Sequence, residues 1–152
     1  MIYIIVALKA EAQAFVDKFK LIEYKNEEIR VFISGIGKEN MFNTTLNVVK
    51  NLQKYDRIVN VGICGANENY KIGQLIDSRK ELITSVDYEV SEAKFSIVDM
   101  ESAGFLQATK NINNSYIFKV VSDHFEPHKV TKDKAKKLIF DKIDEIMREI
   151  QI

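Results

Sequence analysis

Ile2-Tyr3-Ile4-Ile5-Val6-Ala7-Leu8 is an apolar run that passes directly into Lys9-Ala10-Glu11-Ala12-Gln13-Ala14-Phe15, where the hydrophobic residues change to helical spacing. A short run rich in Ile and Val is the pattern of a strand buried on both faces. The stretch behind it predicts a helix from about Lys9 to Lys20, with Ala10, Ala14, Phe15 and Phe19 on one face. The run lacks a basic segment ahead of it, meets Lys9 and Glu11 at once, and is too short to span a bilayer, so neither a secretory signal nor a membrane anchor is expected.

Strand followed by helix recurs along the chain. Leu21 to Tyr24 and Ile29 to Ser34 predict a hairpin around Lys25 to Glu28, closed by Gly35-Ile36-Gly37. A helix follows, with Met41, Phe42, Thr45, Leu46, Val49 and Leu52 in one stripe. Further strands are expected at Arg57 to Gly62, Gln74 to Asp77, Leu82 to Val86, Phe95 to Val98 and Tyr116 to Val121. Helices are expected from about Met100 to Asn111 and, as one long element, from Thr131 to Ile150. This order implies an α/β fold, a single three-layer domain over 1–152 whose mostly parallel or mixed central sheet is flanked by helices.

A chain of 152 residues that is 46% hydrophobic is long enough for one independent core. Its 22 basic and 22 acidic residues cancel, so no net field draws in nucleic acid or an anionic membrane. One cysteine, Cys64, leaves no disulfide framework, which points to the reducing cytoplasm. His124 and His128 flank Pro127 without a nearby cysteine or clear carboxylate partner, and no metal is assigned to them.

Open α/β sheets bind ligands beyond the carboxyl ends of their strands. Glu11 follows the first predicted strand, Glu101 follows Phe95 to Val98, and Asp123 follows Tyr116 to Val121, so all three are expected at one edge of the sheet. Two readings of these acids stand side by side. Carboxylates suit first helical turns because the helix dipole favours them, and Asp99 suits an N-cap; alternatively the three form a catalytic set.

Val98-Asp99-Met100-Glu101-Ser102-Ala103 resembles the V-[ED]-M-E-x-A motif of the superfamily of purine nucleoside phosphorylases and methylthioadenosine/S-adenosylhomocysteine nucleosidases. Ser122-Asp123 after an apolar strand resembles the S-D motif of that superfamily, and Ala7-Leu8-Lys9-Ala10-Glu11 resembles the A-M-x-x-E start of its nucleosidases. Ser34-Gly35-Ile36-Gly37-Lys38 matches an S-G-I-G-K turn, and Asn60-Val61-Gly62-Ile63-Cys64-Gly65-Ala66 resembles the N-x-G-x-x-G-x strand end. These segments occur in the family's order and span nearly the whole chain.

The resemblance implies a nucleoside phosphorylase-like domain that cleaves the N-glycosidic bond of a purine nucleoside or thionucleoside, without a cofactor. The leaving base must be protonated and the ribose carries positive charge as the bond breaks. By carry-over, Asp123 is the general acid at the purine N7, Ser122 orients it, Glu101 accepts from the ribose hydroxyls, Met100 packs on the sugar, and Glu11 activates water. Tyr88, within Asp87-Tyr88-Glu89, lies where the family places an aromatic that stacks on the base. The phosphorylases carry an arginine at the position of Asn60, which favours water over phosphate as nucleophile. The Gly35-Ile36-Gly37 turn still offers backbone N–H groups to an anion.

Two departures from the family pattern support an alternative, a non-catalytic relic that binds a nucleoside or nucleobase. Ile63 stands where a hydroxyl is usual, and between Gln74 to Asp77 and Leu82 to Val86 the family has a long segment that covers the 5′ side of the sugar and reaches a neighbouring subunit's site. A homodimer is expected from the resemblance. A plain α/β interaction domain would require the joint motif match to be accidental.

Overall fold

The computed structural model describes residues 1–92 and 94–151. Its first strand, β1 (Ile2–Val6), alternates between two buried faces. Ile4 and Val6 join the apolar cluster under one helical layer, and Ile5 joins the cluster under the other. Fully burying such side chains contributes roughly 1.5–3 kcal/mol each, which is why the run forms an interior strand, between β2 and β3.

Helix α1 (Lys9–Phe19) starts where Glu11, in its first turn, accepts the backbone N–H of Leu8 at 2.8 Å and of Ala7 at 3.1 Å. It ends at Lys20 in the left-handed conformation, φ 55°, with the Lys20 N–H on the Val16 carbonyl. Strand β2 (Ile29–Ile33) then pairs parallel to β1, with Ile2 opposite Ile29 and Val6 opposite Ile33. The expected hairpin is therefore corrected. Residues 21–25 make isolated contacts, an Ile22–Lys25 bridge, a Lys25–Arg30 bridge and the Val31 N–H donating to the Tyr24 carbonyl, but no strand, and Glu23 and Tyr24 take positive φ, which no strand allows.

Helix α2 (Lys38–Val49) leads to the long strand β3 (Arg57–Ala66), parallel to β1 on one side and to β7 (Ser115–Asp123) on the other. Strand β4 (Leu75–Asp77) runs antiparallel along β7. Beyond Cys64 the register of β3 against β7 shifts, and the end of β3 also pairs with β6 (Ile97–Asp99), which is flanked by the two-residue β5 (Thr84–Ser85). The predicted strand Leu82 to Val86 is shortened to that pair. The result is a mixed sheet of 7 strands with β3 at its centre.

Helix α3 (Ser102–Ala108) packs with α2 over one face. On the other face α1 packs with α4 (Lys132–Phe140), and α5 (Ile143–Ile150) completes the layer. The predicted helix from Thr131 to Ile150 is thus two helices. Lys142 leaves helical geometry at φ −109°, ψ −2°, while the buried residues Ala135, Ile139, Ile143, Ile146 and Ile150 carry one stripe through the joint. The architecture is three-layered, with five α-helices about the sheet among the described residues. No helix among the described residues is long and apolar enough to cross a membrane.

Candidate active site

Three strand ends meet at one cavity of about 150 Å3. Glu11, Glu101 and Asp123 all line it, as do Met100, Ser122 and Tyr88, so every residue singled out for the site lies in one wall. Glu11 comes from the first turn of α1 just past β1 and Asp123 from the last residue of β7, two parallel strands that end at the same edge, whereas Glu101 follows β6, which runs antiparallel to β3 and brings it to the cavity from the other direction.

Each carboxylate is held by main-chain donors. Glu11 is 2% exposed; besides Ala7 and Leu8 it accepts the Ile63 N–H at 2.9 Å on Oε2. Burial pushes its carboxyl up to about 7, against the opposing effects of Lys119 and these N–H groups. Glu101 accepts the Gly37 N–H at 2.9 Å. Gly35 and Gly37 have φ of 87° and 102°, so the Gly35-Ile36-Gly37 turn uses the left-handed freedom of glycine to bring that donor in. The anion served by the turn is thus the side chain of Glu101, at the N-terminus of α2. Burial raises the Glu101 carboxyl above its usual range, with Lys119 opposing.

Asp123 is held at both oxygens. Oδ1 lies 2.6 Å from Ser122 Oγ, and Oδ2 accepts the Glu126 N–H at 2.9 Å. Ser122 Oγ also lies 3.2 Å from the Cys64 carbonyl, which fixes its rotamer. The chain reverses at Phe125, whose φ of 60° is a left-handed conformation for a bulky residue. That strain, of order 1–3 kcal/mol, is offset by packing Phe125 against Val90 and Val98. The same cluster anchors the segment that carries Tyr88. Tyr88 itself is 67% exposed at the cavity mouth, so its ring is only partly committed to the wall.

The sequence reading missed Lys119. It sits inside β7, is 1% exposed, and places Nζ 3.0 Å from Asp99 Oδ2. Burial works against its charge, but Asp99, Glu101 and Glu11 outweigh that and hold the ammonium above its ordinary value. A methyl group at Gly62 would lie 2.9 Å from Glu11 Oε2 and 3.2 Å from Lys119 Nζ, so glycine keeps open the space that these two groups share. Asp99 meanwhile accepts from the Ser102 N–H at 2.9 Å and the Ser102 hydroxyl at 2.6 Å, which combines capping of α3 with pairing to Lys119. The available signal was a lysine in an otherwise apolar strand.

Asn60 lies elsewhere. It is fully buried in β3, donates to the Ile5 carbonyl at 3.0 Å, and contributes nothing to the cavity wall. Its Oδ1 is the one buried side-chain polar atom without a partner among the described residues. Ile63 lines the cavity and holds Glu11 through its backbone N–H. His124 contacts the Ala66 carbonyl at 3.1 Å through Nδ1.

Neither a protein-family model nor a curated protein matches the chain. Solved structures do. The 5′-methylthioadenosine/S-adenosylhomocysteine nucleosidase of Neisseria meningitidis, in complex with methylthio-immucillin-A, is similar at TM-score 0.75 and 15% identity, over 98% of this chain and 97% of that one. The 5′-methylthioadenosine nucleosidase of Arabidopsis thaliana matches at TM-score 0.72 and 16% identity, over 99% and 95% of the two chains. Futalosine hydrolase of Helicobacter pylori matches at TM-score 0.67 and 17% identity, over 95% and 97%. The chain shares the three-layer fold of these nucleosidases.

Proposed function

We propose that the chain hydrolyses the N-glycosidic bond of a purine nucleoside or thionucleoside. The observation that carries this reading is the gathering of three differently held carboxylates around one cavity, on a fold shared with nucleosidases. In this assignment the base lies at Asp123 and the ribose hydroxyls at Glu101, with Met100 against the sugar and Tyr88 at the base. Ser122 Oγ, 2.6 Å from Asp123 Oδ1, orients the carboxyl that in this reading protonates N7. As the bond from C1′ to the base breaks, its electron pair leaves with the base and the Asp123 proton neutralises it. Water adds to C1′ and gives its proton to Glu11, whose elevated affinity for protons suits a base at neutral pH.

Water is favoured over phosphate by the surroundings of the only buried cation among the residues described. Lys119 is ion-paired to Asp99 and stands among Glu11 and Glu101, so the site has no net positive charge to offer a phosphate dianion. Lys119 instead balances the acids that a neutral nucleophile needs. The assignment also carries the expectation of a cytoplasmic homodimer.

The test is product analysis on a panel of purine nucleosides and 5′-thionucleosides, with and without phosphate. Free base with free pentose is the expected outcome. Ribose 1-phosphate in phosphate buffer would replace hydrolysis by phosphorolysis, and no released base alongside measurable nucleoside binding would establish the relic.

A further inference from the structure

β1 and β3 pair only as far as Ile5 opposite Asn60. On its other side β1 stays with β2 beyond that point: Val6 lies opposite Ile33, and the Val6 and Ala7 carbonyls accept the Ser34 and Gly35 N–H groups. The two strands therefore part into a fork, and the Glu11 carboxylate fills it. Oε1 takes the Ala7 and Leu8 N–H groups from one prong, and Oε2 takes the Ile63 N–H from the other. One carboxylate thus stands in for the ladder bonds that parallel strands make with each other.

Asn60 stands at the apex of the fork. Its Nδ2 donates to the Ile5 carbonyl at 3.0 Å, a side-chain bond laid across the last paired position. That bond fixes the plane of the peptide between Ile5 and Val6, and with it the direction in which β1 leaves β3. The same side chain is otherwise poorly served. It is fully buried, Met41 Sδ lies 3.8 Å from Nδ2, and Oδ1 has no partner among the described residues. An unpaired buried acceptor destabilises a fold, and an apolar residue would avoid it, so the donor and not packing accounts for an asparagine here. We infer that Asn60 is a positioning residue for Glu11: by holding the Ile5 carbonyl where the strands part, it sets the fork that keeps the Glu11 carboxylate on Ile63 and in the cavity wall. Its part in the reaction rests on the hydrolase reading of Glu11; the geometry of the fork does not.

Lys119 of β7 and Glu101 beyond β6 also act on Glu11, Asp123 and Glu89 line the same cavity, and Asp99 of β6 pairs with Lys119; a change at residue 60 alters none of these groups. The test is a pH titration of the 15N-labelled full chain, read at the Ala7, Leu8 and Ile63 amides, beside the pH profile of kcat/KM. In the unaltered protein the three amides should shift together, with a midpoint of about 7, as Glu11 ionises. Asn60→Leu, similar in size but without the donor, should release Ile63 from that titration. With a donor to its charged form lost, Glu11 should ionise later, so the midpoint and the rising limb of kcat/KM both move up by about half a pH unit or more, and kcat falls about tenfold or more. The urea midpoint should hold or rise, because the orphaned Oδ1 goes with the side chain. A merely structural asparagine would give the reverse, lower stability with an unmoved titration. Asn60→Thr, whose hydroxyl is one bond shorter in reach, is the second variant and should behave alike. Thr45→Val removes another buried polar group beside Met41 without touching the fork, and should leave the titration where it is. An unmoved midpoint with Ile63 still following it in both Asn60 variants overturns the positioning role and leaves the hydrolase standing. A moved midpoint in a protein that releases no base from adenosine or 5′-methylthioadenosine supports the fork and removes the hydrolase. Equal movement in Thr45→Val, or failure of both Asn60 variants to fold, reduces Asn60 to packing and overturns the role.

Discussion

Asp123 and Glu101 line the same cavity and are assigned different parts of the substrate, so their amide variants should fail in different ways. Asp123→Asn keeps the contacts to Ser122 and Glu126 but loses the transferable proton, and steady-state kinetics should show kcat lower by about a hundredfold or more with base binding retained. Glu101→Gln should weaken nucleoside binding while leaving free adenine nearly unaffected, since adenine has no ribose; equal losses for both ligands would contradict the ribose assignment. In the proposed reaction Glu11 sets the pH dependence. As a base it must be ionised, and with its carboxyl raised to about 7 by burial it is mostly protonated below that pH. The expected kcat/KM therefore climbs with pH up to about 7 and levels off above it; a profile flat from pH 5 to 8 would exclude Glu11 as the base. Glu11 and Asp123 were legible because each follows the carboxyl end of a parallel strand, whereas Glu101 follows the antiparallel β6 and was legible only through the motif around it. Lys119 could not, because its meaning depends on Asp99, Glu101 and Glu11, which are distant in sequence and meet only through the sheet. Lys119→Met should cost about 3–5 kcal/mol in urea unfolding, the usual result of leaving buried charge uncompensated, whereas an isolated surface lysine would cost almost nothing.

At the scale of elements, Gly104 governs how closely α3 crosses the start of α2. A methyl group there would overlap the Lys38 backbone carbonyl, and backbone cannot swing aside as a flexible side chain can. Alanine ordinarily gains about 0.5–1 kcal/mol over glycine in a helix, but overpacking costs about 1–3 kcal/mol. Gly104→Ala should accordingly lower the denaturant midpoint, and a stabilised variant would show that the two helices can separate at little cost. This crossing left no trace in the hydrophobic pattern, which marks faces but not distances. Other elements were legible to different degrees. β1, α1, α2 and β7 followed their periodicity because packing and local spacing agree there. The stretch around Tyr24 did not, since alternation over four residues says nothing of the left-handed turns at Glu23 and Tyr24. The joint at Lys142 was hidden for the opposite reason: the apolar stripe passes through it unbroken, and neither glycine nor proline marks the interruption.

The molecule as a whole is organised by β3, which joins β1, β6 and β7 and gives Ile63, Cys64 and Gly65 to the cavity that the three carboxylates line. Alternating strands and helices implied the layers, but the antiparallel placement of β4 and β6 depends on pairings that no local pattern encodes. Association of two copies, the remaining expectation at this scale, predicts a sedimentation mass near twice that of the 17.5 kDa chain; a monomer mass independent of concentration would dismiss it. The manner in which the acids are gripped also has a bearing on mutational scanning. Ala7, Leu8, Gly37, Ile63 and Glu126 hold Glu11, Glu101 and Asp123 through peptide nitrogen, which nineteen of the twenty amino acids supply. An alanine scan would therefore pass over Leu8, Ile63 and Glu126, and so would much natural drift in their side chains, whereas Gly37, at φ 102°, needs glycine for its conformation as well. Proline is the substitution that deletes the donor, so a proline scan through these five positions would reveal a framework that side-chain identity conceals.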